Sequence, residues 1–200
     1  MDFTDWRREW DPMVAAVGRD FSDGAVVYGA DPVAPADIRR FLEPLEFDCP
    51  LHHDRGAAIA AGFSDLILPY TAVLSWSIPP MWSPGDAPLF DDDSRDAQPA
   101  RSPINNPDPG PAPPTTGFFA TDLEMDFVRP LTVGERVGRR GRTLLSCVPK
   151  ETSVGRGAFM TWESELVTSD GEVVARMRTG NFAYVPRPAG GWESETGNPT

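Results

Sequence analysis

The stretch Phe47-Asp48-Cys49-Pro50-Leu51-His52-His53-Asp54 holds the only two histidines of a 200-residue chain, one of its two cysteines, and a carboxylate on either side. Imidazole titrates near neutrality, so a histidine beside a carboxylate can pass a proton in either direction. His52 and Asp48 are therefore the candidate acid–base residues. The plainer alternative makes His52 a loop-packing side chain that caps the following alanine-rich segment. Cys49-x-x-His52 is also half of a zinc pattern, but there is no third histidine and Cys147 stands alone, so no metal is expected.

The second concentration of functional groups is basic. Arg136, Arg139, Arg140 and Arg142, with Arg156 beyond, gather in a chain of net charge −12. Such a group either docks the phosphates of an anionic ligand or forms a solvated face or an interface with an acidic partner. Strand alternation would put Arg140 and Arg142 on one face and Arg139 on the other. Gly155-Arg156-Gly157 lacks a following phosphate-loop pattern, and no Gly-x-Ser-x-Gly elbow exists to support a serine hydrolase.

These residues need elements to hold them. Asp11-Pro12 reads as a helix start and Gly18 as its end, with Met13, Val14 and Val17 on the helix. Residues 24–29, GAVVYG, have the content of a strand. Ile38, Phe41 and Leu42 recur at helical spacing within 36–44, and DRGAAIAAG forms a further helix closing at Gly62. PYTAVLSWSI, 69–78, is apolar nearly all round, which predicts a helix fully buried against a sheet. Then come strands: Leu123, Met125 and Phe127 alternate with Asp122, Glu124 and Asp126, and three more runs follow, the last two joined by Ser169-Asp170-Gly171. Four consecutive strands predict an antiparallel meander, and the whole an α+β fold with the sheet around one helix.

Between helix and strands, residues 82–117 are rich in proline, glycine and aspartate, including the run Asp91-Asp92-Asp93. That composition cannot bury enough apolar surface to fold by itself, so it reads as a long insertion. Residues 1–20 are expected to be an N-terminal helical extension, 21–186 one domain, and 187–200 a loose tail. Acidity argues against nucleic acid as a partner. No secretory signal and no run of about 20 apolar residues is present, so a cytoplasmic protein without a membrane span is expected.

Three segments, PLHHDRGAAIAAG, ILPYTAV and MDFVRPLTVGERV, make the chain resemble the hot dog fold and, within it, the MaoC-like (R)-specific enoyl-CoA hydratases, nearest the FAS1-like dehydratase N-terminal domains. The last segment carries an aromatic-x-Arg-Pro followed by x-x-Gly-Glu-x-Val, which is fairly specific to the group. The resemblance implies a single hot dog domain that adds water to, or removes it from, a trans-2-enoyl thioester. Its hydration motif, Asp-x-Asn-Pro-Leu-His, aligns on Pro50, Leu51 and His52. His52 is kept, Cys49 takes the asparagine position, and Phe47 takes that of the catalytic aspartate, with Asp48 one residue later.

The resemblance further implies that backbone N–H groups of Tyr70 and Thr71, at the start of the central helix, hold the thioester oxygen; with coenzyme A on the substrate, Arg140 and Arg142 of the basic concentration are the candidates to bind its phosphates. No cofactor is expected beyond the thioester substrate itself, on coenzyme A or an acyl carrier. Loss of the aspartate implies a homodimer or, better, a heterodimer in which a second MaoC-like chain brings the intact Asp–His pair. A hot dog thioesterase, for which only Asp65 offers a carboxylate, and a non-catalytic acyl-binding subunit are the alternatives. The 82–117 insertion is expected to border the acyl pocket.

Overall fold

The computed structural model describes residues 5–90, 92–100 and 110–188. Asp91 and most of the expected tail therefore lie outside the described residues. Five strands form one antiparallel sheet: β1 (Val27–Tyr28), β2 (Gly117–Phe127), β3 (Val137–Glu151), β4 (Gly155–Thr168) and β5 (Val173–Pro186). Their spatial order is β1-β3-β4-β5-β2. The meander expected over four strands is thus confined to β3-β4-β5, and β2 joins on the far side, beside β5.

The crossover from β2 to β3 explains that order. Val128 and Arg129 donate to the Val174 carbonyl across the β4–β5 turn, Leu131 is 2% exposed in the core beneath, and Leu68 N–H bonds the Leu131 carbonyl. Arg129 then donates to both Glu135 oxygens, from Nη1 at 3.0 Å and from Nη2 at 2.7 Å, and from Nη2 to Glu172 at 2.7 Å. The Arg-Pro and Gly-Glu parts of the signature sequence are therefore a clasp: one guanidinium closes the connection on itself and on the neighbouring turn. Burial pushes Glu135 up, but the Arg129 and Thr132 hydrogen bonds outweigh it and hold its carboxyl below the ordinary range.

The first strand is shorter than 24–29; only Val27 and Tyr28 pair, with Arg139 and Gly138. Helix α1 (Asp11–Ala15) continues a 3-10 turn, Trp6–Trp10, so Asp11 lies inside the helical run and is not its cap; Asp5 caps the turn instead, accepting from Arg7 N–H. Met13 is fully buried, whereas Val14 and Val17 are exposed. Helix α2 (Pro35–Leu42) buries Ile38 and Leu42 as the spacing predicts, and a 3-10 turn, Glu43–Leu45, ends it. Helix α3 (Arg55–Ala60) starts at Asp54, whose carboxylate accepts from Gly56 and Ala57 N–H, and closes at Gly62, φ +95°.

The central helix departs most from expectation. It is a 3-10 turn, Tyr70–Ala72, running into the single α-turn α4 (Val73–Trp76). Ala72 and Val73 are buried on the core, but Tyr70 is 42% exposed and Thr71 and Ser75 are open to solvent. The chain supplies a sheet on only one side of this helix, so full burial is not achieved within one copy.

One face of the sheet carries two apolar clusters. The first packs Ile38, Leu42, Leu68, Ala72 and Val73 on Val137, Leu166 and Ala175. The second packs Trp10, Met13 and Phe21 on Leu144, Met160 and Trp162. The opposite face carries an ionic grid, in which Arg178 meets Glu163, Glu124 and Asp126, and Glu165 meets Arg140 and Arg176. Beyond the grid, Phe159, Phe182 and Tyr184 stack, sealing Phe182 completely.

Candidate functional site

His52 ends a 3-10 turn, Pro50–His52, whose proline fixes the first residue's φ. Its ring is 8% exposed, and Nδ1 lies 2.8 Å from the Ile67 carbonyl. A carbonyl only accepts, so Nδ1 carries the proton, and in the neutral ring Nε2 holds the lone pair. Ile67 N–H returns a bond to the Leu51 carbonyl, locking the histidine turn to the segment that leads into the central helix. His52 is thus buried and held in one orientation by the Ile67 carbonyl.

Its neighbour is not an acid. The Phe47 ring sits 5.7 Å from the imidazole, centroid to centroid, at the place expected for the catalytic aspartate. Asp48 is exposed and makes no hydrogen bond or ion pair among the described residues, so the structure does not bring it to His52. His53 is also exposed; its Nε2 lies 2.9 Å from the Phe47 carbonyl and ties down the loop. Cys49 is partly buried and free. Among the described residues no three His, Cys, Asp or Glu side chains gather to hold a metal ion.

The Tyr70 and Thr71 N–H groups open the helical run, and neither has a hydrogen-bond acceptor within the described residues. Unpaired N–H groups at a helical start are ready to receive developing negative charge. The Tyr70 ring packs at 5.0 Å on Phe127, the aromatic of the signature sequence, which fixes this end of the helix over β2, the sheet's exposed edge. Asp65, the one carboxylate that a thioesterase reading offers, is held by Arg55 at 2.8 Å and by Leu66 N–H.

Arg140 and Arg142 do not share a face. A bulge between Arg140 and Thr143, centred on Gly141 at φ +74°, breaks the alternation. Arg140 pairs with Glu165 at 2.7 Å on the ionic face, whereas the Arg142 guanidinium lies 3.6 Å over the Trp162 ring on the apolar one. Arg136 bonds the carbonyls of Gly29 and Ala30, and Arg156 bonds Glu151. The arginines are therefore dispersed and do not make a common anion dock. Arg139 lies opposite Arg140, as the alternation predicts: it shares the apolar face with Leu166, and its Nε is buried with no hydrogen-bond partner. The Gly141 bulge therefore brings Arg142 to the same face as Arg139. The Cys147 thiol is pushed up to about 11 by burial, which leaves it inert.

Comparison with known proteins gives a consistent assignment. Among curated proteins no sequence relative is found. A chain of the ChsH1–ChsH2 complex from Mycobacterium tuberculosis superposes with TM-score 0.61 at 25% identity, over 93% of this chain and 98% of that chain. The monoamine oxidase regulatory protein from Archaeoglobus fulgidus shares the fold, with TM-score 0.50 at 16% identity, over 83% of this chain and 93% of that one. A MaoC-like dehydratase from Rhodospirillum rubrum matches with TM-score 0.49 at 21% identity, over 84% and 95%. The family model described as FAS1-like, dehydratase domain region, matches residues 15–177. With a five-stranded antiparallel sheet, a central helix on one face and the Arg129–Glu135 clasp in place, the chain belongs to this FAS1-like dehydratase family of MaoC-like hot dog proteins.

Proposed function

We propose that this chain is one subunit of an enoyl-thioester hydratase or dehydratase, and that a second MaoC-like chain docked on β2 supplies the Asp–His pair. The observation that carries the reading is a combination: two unpaired N–H groups at Tyr70 and Thr71, and a His52 bonded to the Ile67 carbonyl just ahead of them whose ring neighbour is Phe47 and not a carboxylate. The means of holding a thioester oxygen is kept and one half of the proton-transfer machinery is absent.

In hydration, the oxygen of water bonds to Cβ of the enoyl thioester while one water proton is removed by a base and Cα gains a proton from an acid. Negative charge develops on the thioester oxygen during attack, and the N–H groups of Tyr70 and Thr71 stabilise it. The proton transfers belong to the partner's carboxylate and imidazole, which reach the substrate across the β2 edge. The family relationship supports the reaction class, and the similarity to a chain of the two-component ChsH1–ChsH2 complex supports pairing of unlike subunits.

Co-expression with the MaoC-like product of an adjacent reading frame tests this. The complex is expected to hydrate crotonyl-CoA. Removing the partner's aspartate or histidine should cost about 10²–10⁴-fold in turnover, whereas His52→Ala should cost less than about tenfold, below that range. Hydration by this chain alone that His52→Ala abolishes would overturn the division of labour. Release of free thiol, or no turnover by any pair, would overturn the reaction.

A further inference from the structure

Strand β2 is an edge whose two faces carry different chemistry. Leu123, Met125 and Phe127 lie on the side of the central helix, opposite Thr179, Met177 and Ala175 of β5, and Phe127 carries the Tyr70 ring. Asp122, Glu124 and Asp126 line the outer side. Gly180 makes room there: a Cβ on it would run into the Asp122 carboxylate, which places Asp122 in one row with Glu124 and Asp126, the partners of Arg178. That row holds more negative charge than its neighbours neutralise. One guanidinium, Arg178, serves Glu124 at 3.3 Å, Asp126 at 3.2 Å and also Glu163 of β4 at 3.0 Å. Asp122 accepts from Thr121 Oγ1 at 2.6 Å and meets no cation among the described residues. The Glu124 and Asp126 side chains remain 64% and 57% exposed, at an edge with no strand beyond it among the described residues.

Side chains directly opposite one another across an antiparallel pair have Cβ atoms about 5 Å apart, and like charges there repel. A second copy of this chain, pairing β2 with β2 about a two-fold axis, would create that arrangement. With the axis at Glu124, Glu124 faces its own copy and Asp122 faces Asp126; with the axis at Leu123 or Met125, carboxylate still faces carboxylate. The net charge of −12 adds to the repulsion between copies. The exposed apolar side of the edge therefore favours association, and the acidic side decides with what.

We propose that the partner strand which pairs with β2 is basic on its outer face: it alternates apolar residues, on the helix side, with lysines or arginines set opposite Asp122, Glu124 and Asp126. The proposal rests on the reading of β2 as the edge that receives a second, unlike chain, and it names the chemistry by which that chain is chosen over another copy of this one. Charge-assisted hydrogen bonds to the carboxylates that Arg178 leaves underserved give the partner its register. The basic row lies on the face away from Tyr70 and Thr71, so it selects the partner without entering the thioester site.

Two differently charged copies of the full chain test it without the natural partner. A copy carrying Asp122→Lys, Glu124→Lys and Asp126→Lys together supplies the missing basic row. Mixed with the unmodified chain, it is expected to form a 1:1 complex in sedimentation velocity, about tenfold or more tighter than either copy forms with itself. Raising the salt to about 1 M, where the Debye length is about 3 Å, should erase that preference. A mixed pair no tighter than the like pairs overturns the proposal. If the lysine variant does not fold, the amide variant, Asp122→Asn with Glu124→Gln and Asp126→Asn, decides: it should self-associate about tenfold more tightly than the parent, and equal self-association overturns the proposal. The amide variant should also bind the MaoC-like partner about tenfold more weakly. A complex that hydrates crotonyl-CoA yet holds as tightly with the amide variant overturns this proposal and leaves the hydratase reading standing. A mixed pair that forms while no MaoC-like partner gives hydration does the reverse.

Discussion

The two edges of the sheet are finished differently. At one, β1 contributes two residues, and Arg136 bonds the carbonyls just beyond them, while Gly18, Arg19 and Phe21 bond the backbone of Arg142 and Leu144 farther along β3. At the other, β2 presents eleven residues with nothing outside it among the described residues, and Phe118, Leu123 and Phe127 are 70%, 51% and 42% exposed. A long apolar edge strand invites pairing with another chain. The comparison teaches that the chain closes one edge with its own backbone and leaves the other, where the central helix starts, unpaired among the described residues.

The sharpest way to break the closed edge is Gly29→Ala. A Cβ there would overlap the Trp76 carbonyl oxygen and crowd that of Val137, both backbone atoms with no rotamer to yield. Chemical denaturation should show a loss of about 3 kcal/mol or more, at the high end for a point substitution. A variant that unfolds like the parent would show that β1 and the central helix are not locked together.

At the open edge, Leu123→Glu should leave the isolated chain's stability within about 0.5 kcal/mol while weakening association by about 30-fold, the loss of one hot spot of about 2 kcal/mol. Light scattering and pull-down with the partner chain check both halves. Unchanged association would remove β2 from the interface.

The link between the edges is the Arg129 clasp, and Glu135→Gln should cost about 1 kcal/mol at neutral pH, modest because the pair is only partly buried. Glu135 has its folded pKa depressed, so its contribution is present above the unfolded carboxylate value and lost as pH falls through the lower folded one. Urea unfolding of parent and variant should therefore converge on acidification below the ordinary glutamate range. A difference that persists in acid would assign the clasp to packing. The smallest effect is expected at Val27→Glu, on the closed edge: Val27 is 51% exposed, and both stability and association should change by less than about 0.5 kcal/mol.

Much of the frame was legible in the sequence because it rests on local rules. The Ile38–Leu42 spacing gives α2, Asp54 and Gly62 bound α3, and the Leu123-Met125-Phe127 alternation correctly divides β2 into an apolar and an ionic face. The signature sequence around Arg129 pointed to the family before its role as a clasp was visible. What could not be read was long-range. Neither the pairing of β2 with β5 nor the half-exposure of the central helix has a local cause, since both depend on where distant strands run and on how much surface one copy can cover.

In the candidate site the residue types were fixed by sequence: His52 present, the acid replaced by Phe47, two N–H donors after Pro69. Their chemistry waited on tertiary structure. Only the fold shows that Asp48 faces water and that Ile67 sets the imidazole tautomer. Only the Gly141 bulge parts Arg140 from Arg142 and turns Arg142 to the apolar face. The physical reason is that a side chain's type follows from the gene, whereas its partner is chosen by strand register, and a bulge reverses every facing assignment after it.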